Sequence, residues 1–232
     1  MGKIHLTPRL RALAALVPDG AVLADIGTDH AILPVSLLMA GRIPRAIASD
    51  IRSGPLDSAR RTAERFVMQN RVSLRLGAGL ETVAPFEADT VAIAGMGGET
   101  IAEILQAAPW TRQGDTLLLL QPMTMQARLR QWLAENGYAI LAENLCTEGH
   151  RIYTILTVRG GAEPVPRALW ECCISDALLA SPLAAAYIQK QLTREKKALK
   201  GLEHADKPAE LERVRRTVEY LEHALAGLEE RK

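Results

Sequence analysis

One stretch near the N-terminus, Val22-Leu-Ala-Asp-Ile-Gly-Thr-Asp-His30, limits the folds that this chain can adopt. Residues 21–26 form a short, nearly continuous apolar run that ends at Gly27, and helical patterning resumes over 31–40. An apolar run of this length between turn residues is typical of a strand buried on both faces of a parallel sheet. The stretch therefore predicts a strand, a glycine turn and a helix, which together form the first unit of a doubly wound α/β fold.

Carboxylates at the ends of the first two strands indicate a ligand at this turn. Asp25 lies near the end of the first strand, and Asp50 ends a second strand, Ala46-Ile-Ala-Ser-Asp50, 23 residues after Gly27. In doubly wound sheets a carboxylate about 20 residues beyond the glycine turn binds the hydroxyls of a ribose. The two acids therefore predict a cofactor that carries adenosine.

The turn itself distinguishes between classes of cofactor. A dinucleotide-binding turn uses three glycines so that the pyrophosphate can reach a helix N-terminus, whereas Gly27-Thr-Asp-His-Ala-Ile32 has one glycine and an added carboxylate, Asp29. That carboxylate repels a phosphate and attracts a cation. S-adenosylmethionine (AdoMet) carries a sulfonium and an ammonium group, and Asp25 or Asp29 is placed to accept a hydrogen bond from the ammonium. Ordinary capping by these acids is the alternative explanation.

Composition excludes several classes of protein. The chain has 232 residues and 48% hydrophobic content, which is enough for one ordinary domain with an appendage. We see no signal-peptide pattern and no apolar run near the ~20 residues that cross a bilayer, so we expect a cytoplasmic protein without a membrane partner. The cysteines, at positions 146, 172 and 173, lack metal-ligand spacing, so we expect no bound metal.

Arginine is concentrated in one region although the formal net charge is only +1. Residues 42–75 contain eight arginines against three acidic residues. Such a face can bind a phosphate backbone, and a solvated helix surface is the plainer explanation. Within this region, Arg60 and Arg61 are candidate substrate-binding residues.

The rest of the chain continues the α/β pattern and then changes. Further strands are expected at 72–76, 90–94, 115–121, 138–145 and 152–158. The last two strands are joined by a turn too short for a parallel crossover and must be antiparallel. Residues 121–125 are expected to form a loop and Trp170 to Leu179 a short docking helix. Beyond Pro182, two heptad-patterned stretches separated by Asp206 and Pro208 predict an antiparallel helical hairpin.

Six sequence blocks carry a resemblance to a known family. They are Leu6-Thr-Pro-Arg-Leu10, Ala24-Asp-Ile-Gly-Thr-Asp-His-Ala-Ile-Leu-Pro34, Ser53-Gly-Pro55, Gly77-Ala-Gly-Leu-Glu81, Ile93-Ala-Gly-Met-Gly-Gly98 and Leu120-Gln-Pro122. In this order they resemble the bacterial tRNA (adenine(22)-N1)-methyltransferases, from about Leu6 to the end of the chain. The resemblance implies AdoMet as cofactor, tRNA as partner and N1 of an adenine as the methyl acceptor. It also implies a class I Rossmann-like methyltransferase sheet, parallel with a terminal antiparallel hairpin, and a C-terminal coiled coil.

The resemblance also implies a domain order and roles for single residues. The expected parts are 1–160 (AdoMet-binding domain), 161–182 (linker and docking helix) and 183–232 (coiled-coil hairpin). Expected cofactor-binding residues are Asp25, Gly27, Thr28, Asp50, Ile51, Gly77, Ala78, Gly79, Gly95 and Met96. Expected substrate-binding residues are His30, Gly97, Gly98, Arg60 and Arg61, with capping of the helix as the alternative role for His30. The resemblance also places Asp29 beside the cofactor. From the chemistry of N1 methylation we expect Asp29 to be the catalytic residue, accepting from the adenine N6 amine as positive charge develops on the ring.

Ala78 departs from the family pattern, because the third loop usually reads Gly-Asp-Gly with the acid near the adenine amine of the cofactor. Loss of that acceptor weakens cofactor binding by about 1 kcal/mol if water replaces it, unless the neighbouring backbone supplies an acceptor. Another RNA methyltransferase and a catalytically impaired RNA-binding protein therefore stay as alternatives. The hairpin has three open roles, namely RNA binding, weak homodimerisation, or folding on itself in a monomer.

Overall fold

The structure, a computed structural model, describes residues 4–203 and 205–230. Within them the strands are β1 (Leu23–Ile26), β2 (Ala46–Asp50), β3 (Val72–Leu76), β4 (Thr90–Gly97), β5 (Leu117–Thr124), β6 (Tyr138–Glu148) and β7 (Arg151–Gly160). The α-helices are α1 (Pro8–Leu16), α2 (Ile32–Met39), α3 (Ser53–Arg65), α4 (Gly98–Gln106), α5 (Gln126–Glu135), α6 (Ala184–Leu202) and α7 (Pro208–Glu229). Short 3₁₀ helices occupy Pro109–Gln113 and Asp176–Ala180.

All seven strands join one sheet in the order β3-β2-β1-β4-β5-β7-β6. The first five strands in this order pair in parallel, and β7 is antiparallel to both β5 and β6. The chain proceeds outward from β1 through β2 and β3 and then returns to the other side of β1 with β4. The strand order therefore reverses between β1 and β4, which is where ligands bind in open α/β sheets. The predicted Rossmann-like sheet with a terminal antiparallel hairpin is confirmed.

Alternating strand residues fill two cores, one on each face of the sheet. Leu23 of β1 packs with α1, α2 and α3, whereas its neighbour Ala24 packs with α4 and α5. Both residues are completely buried. Because both faces are covered, the central strands are mostly apolar, as the sequence pattern predicts, and polar residues such as Asp25 and Asp50 lie toward their carboxyl ends.

The ends of β4 and β5 differ from the expected ones. The predicted loop over 121–125 is wrong, because β5 continues to Thr124 and pairs with β4 through Met96–Pro122 and Gly97–Thr124, with irregular register. A proline such as Pro122 is unusual inside a strand, because it has no N–H to donate to a neighbouring strand. However, β7 pairs with β5 only as far as Leu120, so Pro122 lies where β5 has a single partner and a missing donor is tolerated.

The predicted helix from Trp170 to Leu179 is also wrong. The segment consists of turns followed by the 3₁₀ helix Asp176–Ala180. The backbone carbonyls of Cys172 and Cys173 accept hydrogen bonds from Arg130 Nη1, each at 3.0 Å, instead of bonding along a helix. Tertiary hydrogen bonds therefore replace the helical ones that the apolar pattern suggested.

Arg130 on α5 and Glu143 on β6 form a buried ion pair, with each residue only 3% exposed. Arg130 Nε donates to Glu143 Oε2 at 3.0 Å, and Glu143 also accepts from the hydroxyls of Thr154 and Ser175. Burial alone would raise the pKa of Glu143, but the Arg130 charge and these hydrogen bonds hold it below its usual value. The pair therefore ties α5, β6, β7 and the segment after the sheet together.

The helices α6 and α7 form the predicted antiparallel hairpin. Ile188 and Leu192 of α6 pack in one cluster with Val218 and Leu221 of α7. The same cluster includes side chains of β6 and β7, so the hairpin docks on the far end of the strand pair. In addition, Lys190 Nζ donates to the backbone carbonyl of His150 in the β6–β7 turn at 2.9 Å. Among the described helices, none combines the length and the hydropathy of a membrane span.

We predict that Arg130→Met lowers the free energy of unfolding by about 3 to 5 kcal/mol, because it leaves the Glu143 carboxylate buried without a countercharge. Arg215→Met is the matched control, because Arg215 forms an exposed ion pair with Glu212 at 3.0 Å and should change stability by less than about 0.5 kcal/mol. The double variant with Glu143→Leu should recover part of the loss. Urea unfolding measures all three, and a loss below 1 kcal/mol for Arg130→Met would contradict the assignment.

Candidate active site

The candidate site is the crevice at the carboxyl ends of β1, β2, β3, β4 and β5. The first turn follows β1, where Gly27 has a positive φ of +70°. A Cβ atom on Gly27 would lie 2.0 Å from Met96 Cε, near the carboxyl end of β4. The Thr28 amide donates to the Ser49 carbonyl of β2 at 2.8 Å. This turn is therefore held between its two neighbours, and its positive φ favours glycine.

Asp25 lies below the turn and is 8% exposed. The Thr28 hydroxyl donates to its Oδ2 at 2.6 Å. Burial raises the pKa of Asp25 to about 6, and the hydrogen bond from Thr28 opposes the shift only in part. At neutral pH a carboxylate with this pKa is mostly charged, and keeping that charge buried costs free energy. A cationic ligand beside it would offset this cost.

Asp29 and His30 lie at the open rim of the crevice. Their side chains are 83% and 54% exposed, and His30 Nε2 lies 3.2 Å from Asp29 Oδ1. His30 and Ala31 both have positive φ angles, of 63° and 52°, which is unfavourable for residues with a side chain. In the described chain, α2 receives no side-chain hydrogen bond at its N-cap, Ala31. His30 is not the N-cap residue of α2, and its two expected roles stay predictions.

The second turn combines a carboxylate with exposed apolar side chains. Asp50 is 7% exposed and accepts from the Arg52 amide at 2.8 Å through Oδ1. Ile51, which follows it, is 67% exposed, and Leu76 at the end of the adjacent strand is 60% exposed. Large apolar side chains next to a carboxylate suit an adenosine, because the ring can cover the apolar groups while the ribose hydroxyls bind the acid.

The third turn follows β3. The Gly77 amide donates to the Asp50 carbonyl at 3.1 Å, and a Cβ on Gly77 would lie 2.3 Å from Thr82 Cγ2. Gly79 has a φ of +52°. Local packing explains Gly77, and a positive φ explains Gly79. Ala78, which lies between them, is exposed at the crevice.

The last residues of β4, 95–97, pair irregularly with β5 and form a bend that we call the Gly95 turn, in which Gly95 has a φ of +80°. Gly97 follows as the residue before α4. A Cβ on Gly98 would lie 2.5 Å from the Met125 carbonyl oxygen. Gly98 therefore allows α4 to approach the β5–α5 turn, and this packing explains the residue independently of any substrate.

Two residues at the site, Arg9 and Gln121, were absent from the sequence-based candidates. Gln121 is completely buried at the end of β5. Its Oε1 accepts from Arg9 Nη1 at 2.7 Å and from the Gly95 amide at 3.2 Å, and its Nε2 donates to the Pro122 carbonyl. Both residues belong to the family blocks, and a glutamine that ends a run of leucines was the signal that could have identified the pair.

Arg60 and Arg61 are not brought into the crevice. Arg60 pairs with Asp57 at 2.9 Å, and Arg61 donates to the Ser58 hydroxyl at 2.8 Å. Both lie about two turns into α3, or roughly 10 Å from its first residue at a rise of 1.5 Å per residue. Both side chains lie on the surface of α3, which agrees with the simpler explanation that the arginine-rich region is a solvated helix surface.

The residues present fit an adenosyl cation better than a phosphate or a metal ion. Asp25, Asp29 and Asp50 place carboxylates along the crevice, and the exposed Ile51 and Leu76 add an apolar surface. Among residues 4–203 and 205–230, no group of three or more histidine, cysteine or acidic side chains is arranged to hold a metal.

Comparison with known proteins agrees with this geometry. The methyltransferase domain family matches residues 6–156. A tRNA (adenine(22)-N(1))-methyltransferase of Bacillus subtilis is 39% identical over 161 residues, which cover 69% of this chain and 68% of the relative. The family match, over residues 6–156, includes the crevice and most of the sheet.

Solved structures extend the similarity to the helical hairpin. The M1A22 tRNA methyltransferase of B. subtilis aligns with a TM-score of 0.79 and 29% identity, covering 98% of this chain and 99% of that one. A Streptococcus pneumoniae structure in complex with S-adenosyl-L-methionine aligns with a TM-score of 0.82 and 29% identity, covering 95% of this chain and all of that one. Because these alignments cover nearly the whole chain, α6 and α7 belong to the shared fold.

We predict that Asp25→Asn stabilises the ligand-free protein at pH 8. The folded-state pKa of Asp25 is raised from 3.8 to about 6, so its favourable contribution is complete below pH 4 and is lost as the pH rises through 6. The variant avoids that loss, and its free energy of unfolding should exceed that of the wild type by about 2 to 3 kcal/mol at pH 8. Urea unfolding at pH 4 and pH 8 provides the measurement, with the exposed Asp57→Asn as control.

The two curves should approach each other toward pH 4 and converge near pH 3, where the wild-type carboxyl is mostly protonated in both states. A constant difference between Asp25→Asn and the wild type across this range would mean that Asp25 does not titrate as proposed.

Proposed function

Because the chain belongs to the tRNA (adenine(22)-N(1))-methyltransferase family, we propose that it transfers a methyl group from AdoMet to N1 of adenine 22 in tRNA. The observation that supports this function most directly is the crevice that combines Asp25 and Asp50 with exposed Ile51 and Leu76. When bound, AdoMet supplies the electrophilic methyl group. The protein has to bind it, orient the adenine and exclude competing water.

For cofactor binding, we assign Asp50 to the ribose hydroxyls and Ile51 and Leu76 to the two sides of the adenine ring. Asp25 and the turn at Gly27 to Thr28 would face the amino acid end, where the ammonium group offsets the charge of the buried carboxylate. Gly77 to Gly79 would border the adenine edge. Ala78 has no acceptor for the adenine amine, so a backbone carbonyl of this turn would supply one.

For the substrate, we assign Asp29 to the target adenine. Adenine N1 has a free lone pair and no proton, so alignment rather than a strong base is the main requirement. The Asp29 carboxylate is exposed at the rim and would accept from the N6 amine as positive charge develops on the ring. His30, Gly97 and the first residues of α4 would border the base. Since N1 lies on the Watson–Crick edge, the adenine has to be unpaired or flipped.

We assign Gln121 and Arg9 to positioning the Gly95 turn. The Gln121 carboxamide oxygen binds the Gly95 amide and Arg9 Nη1 together. Glycine adopts the left-handed backbone of Gly95 without steric cost, and the hydrogen bond to the buried Gln121 fixes the turn in that one conformation. The N-terminal helix thereby contributes to the site although it precedes the sheet.

For the domain organisation, we retain 1–160 as the AdoMet-binding domain, 161–182 as the connecting segment and 183–232 as the helical hairpin. We assign the hairpin to tRNA binding by a protein that is a monomer or weak homodimer. A tRNA substrate supports a cytoplasmic location.

We predict that the purified protein converts adenine 22 of a tRNA transcript to 1-methyladenine when AdoMet is present, as measured by mass spectrometry of nucleosides and of ribonuclease fragments. A transcript with guanine at position 22 is the matched control and should gain no methyl group. Tight tRNA binding without methylation would instead support the alternative of a catalytically impaired RNA-binding protein.

Asp29→Ala and Asp50→Ala should have different kinetic effects. An acceptor that stabilises developing charge contributes mainly in the transition state, so Asp29→Ala should lower kcat by about 100-fold with a smaller change in the AdoMet Michaelis constant. Asp50→Ala should mainly weaken AdoMet binding, by about 1.5 to 3 kcal/mol for each lost charge-assisted bond. Single-turnover kinetics at saturating AdoMet separates the two, and a wild-type rate in Asp29→Ala would exclude it as a catalytic residue.

A further inference from the structure

The guanidinium of Arg9 lies beside the Gly95 turn. Its Nη1 donates to Gln121 Oε1 at 2.7 Å, and a Cβ on Gly95 would lie 3.8 Å from the same nitrogen. The next residue, Met96, extends to the turn after β1, because a Cβ on Gly27 would lie 2.0 Å from Met96 Cε. Arg9 and the first turn therefore border the same part of the crevice.

Two of the three guanidinium nitrogens of Arg9 are open to solvent. Within residues 4–203 and 205–230, Nε and Nη2 make no hydrogen bond, yet neither atom is buried. These two nitrogens form the edge of a guanidinium from which two parallel N–H groups point. Arg130 binds the Glu143 carboxylate through the same pair of nitrogens. The open edge of Arg9 can therefore bind one oxyanion with two hydrogen bonds.

The side chains that hold Arg9 do not cancel its charge. Gln121 is a neutral amide, so it orients the guanidinium without neutralising it, and the Tyr153 ring faces Arg9 Cζ at 5.8 Å as a cation–π partner. Glu148 is near, but its Oε2 accepts from the Arg9 backbone amide at 3.0 Å. In the part of the chain that the structure describes, no carboxylate pairs with the guanidinium. A positioned cation with an open edge favours an anionic oxygen ligand.

AdoMet has one anionic group, the carboxylate of its amino acid end, and the acids of the crevice repel it. The basic side chains of the first two turns already have acidic partners, since Arg52 Nε lies 3.5 Å from Asp50 Oδ1 and His30 Nε2 lies 3.2 Å from Asp29 Oδ1. Arg9 has no such partner among the described residues. It is therefore the cation that is available to the carboxylate.

We propose that Arg9 binds the carboxylate of AdoMet through Nε and Nη2. The buried Asp25 would bind the ammonium group of the same amino acid end, so that an acid and a base hold its two charges. This inference rests on the proposed function, in which AdoMet is the cofactor. It gives α1, which precedes the sheet, a direct contact with the cofactor besides its contact with the Gly95 turn.

Decarboxylated AdoMet tests the proposal, because it keeps the adenosine, the sulfonium and the amine and lacks only the carboxylate. Arg9→Met should raise the Kd of AdoMet by roughly 10- to 100-fold, as expected for a lost bidentate charge-assisted contact, and should change the Kd of decarboxylated AdoMet by less than about threefold. Asp25→Asn should weaken both ligands, since both carry the ammonium group. Titration calorimetry measures each Kd.

Two further variants control this comparison. Arg11→Met should change neither Kd, because Arg11 is an exposed arginine of the same helix whose Nη2 donates to the Leu6 carbonyl at 3.4 Å. Arg9→Lys keeps the charge but loses the paired donors, so the Kd of AdoMet should rise by less than in Arg9→Met. If urea unfolding shows that Arg9→Met does not fold, the lysine variant carries the same comparison of ligands.

The outcomes separate the carboxylate contact from the other roles of Arg9. An equal weakening of AdoMet and decarboxylated AdoMet in Arg9→Met would mean that Arg9 only positions the Gly95 turn, and it would overturn the proposal. An unchanged Kd of AdoMet would overturn it as well, and a slope of log Kd against log salt for tRNA reduced by about one would then place a tRNA phosphate at the open edge.

Failure of this inference is distinct from failure of the function on which it rests. If the wild type binds AdoMet but forms no 1-methyladenine, the proposed function fails, while the comparison of the two ligands still decides the role of Arg9.

Discussion

The complete burial of β1 is the constraint on which the rest of this structure depends. Its residues Leu23–Ile26 are covered on both faces and paired on both edges, with β2 and with β4. A strand in this position can present polar groups only near its carboxyl end, because no other part of it reaches solvent. The same holds for the neighbouring parallel strands, whose carboxyl ends point the same way. Asp25, Asp50 and the glycine turns consequently converge on one crevice.

That crevice is suited to a cation because of how its carboxylates are held. Asp25 is buried with one hydrogen-bond donor, and burial keeps its pKa high. Asp29 is exposed at the rim with His30 as its partner. One acid is therefore sensitive to a bound positive charge and the other is accessible to substrate. Two carboxylates four residues apart thus acquire different properties from their environments.

A second constraint holds the C-terminal half against the sheet. The buried pair of Arg130 and Glu143 gathers carbonyl and hydroxyl groups from the segment that leads to the helical hairpin. Tyr187 of α6 lies next to this network, and the hairpin packs on the end of the β6–β7 strand pair. The orientation of the hairpin relative to the crevice is therefore fixed by buried contacts.

The sequence by itself determined the doubly wound arrangement of parallel strands, the acidic residues near the ends of β1 and β2, and the antiparallel pairing of β6 with β7. Each of these features depends on local periodicity or on the length of a turn. Heptad spacing and the position of Pro208 at the start of α7 likewise follow from neighbouring residues, whereas the expected cap at Asp206 is wrong, because the N-cap residue of α7 is Lys207. Only the tertiary structure decided that residues 121–124 continue β5 and that Trp170 to Leu179 is not an α-helix. In both cases partners distant in sequence, β4 and Arg130, supply the hydrogen bonds.

The same distinction applies to the site. Asp25 and Asp50 were predictable because strand ends in a parallel sheet share one edge. The contact of Arg9 with Gln121 joins residues 112 positions apart, and the environment of Tyr187 depends on how α6 meets α5. No periodicity records such contacts, since they arise only when separate elements pack together and bury polar groups that must then find partners.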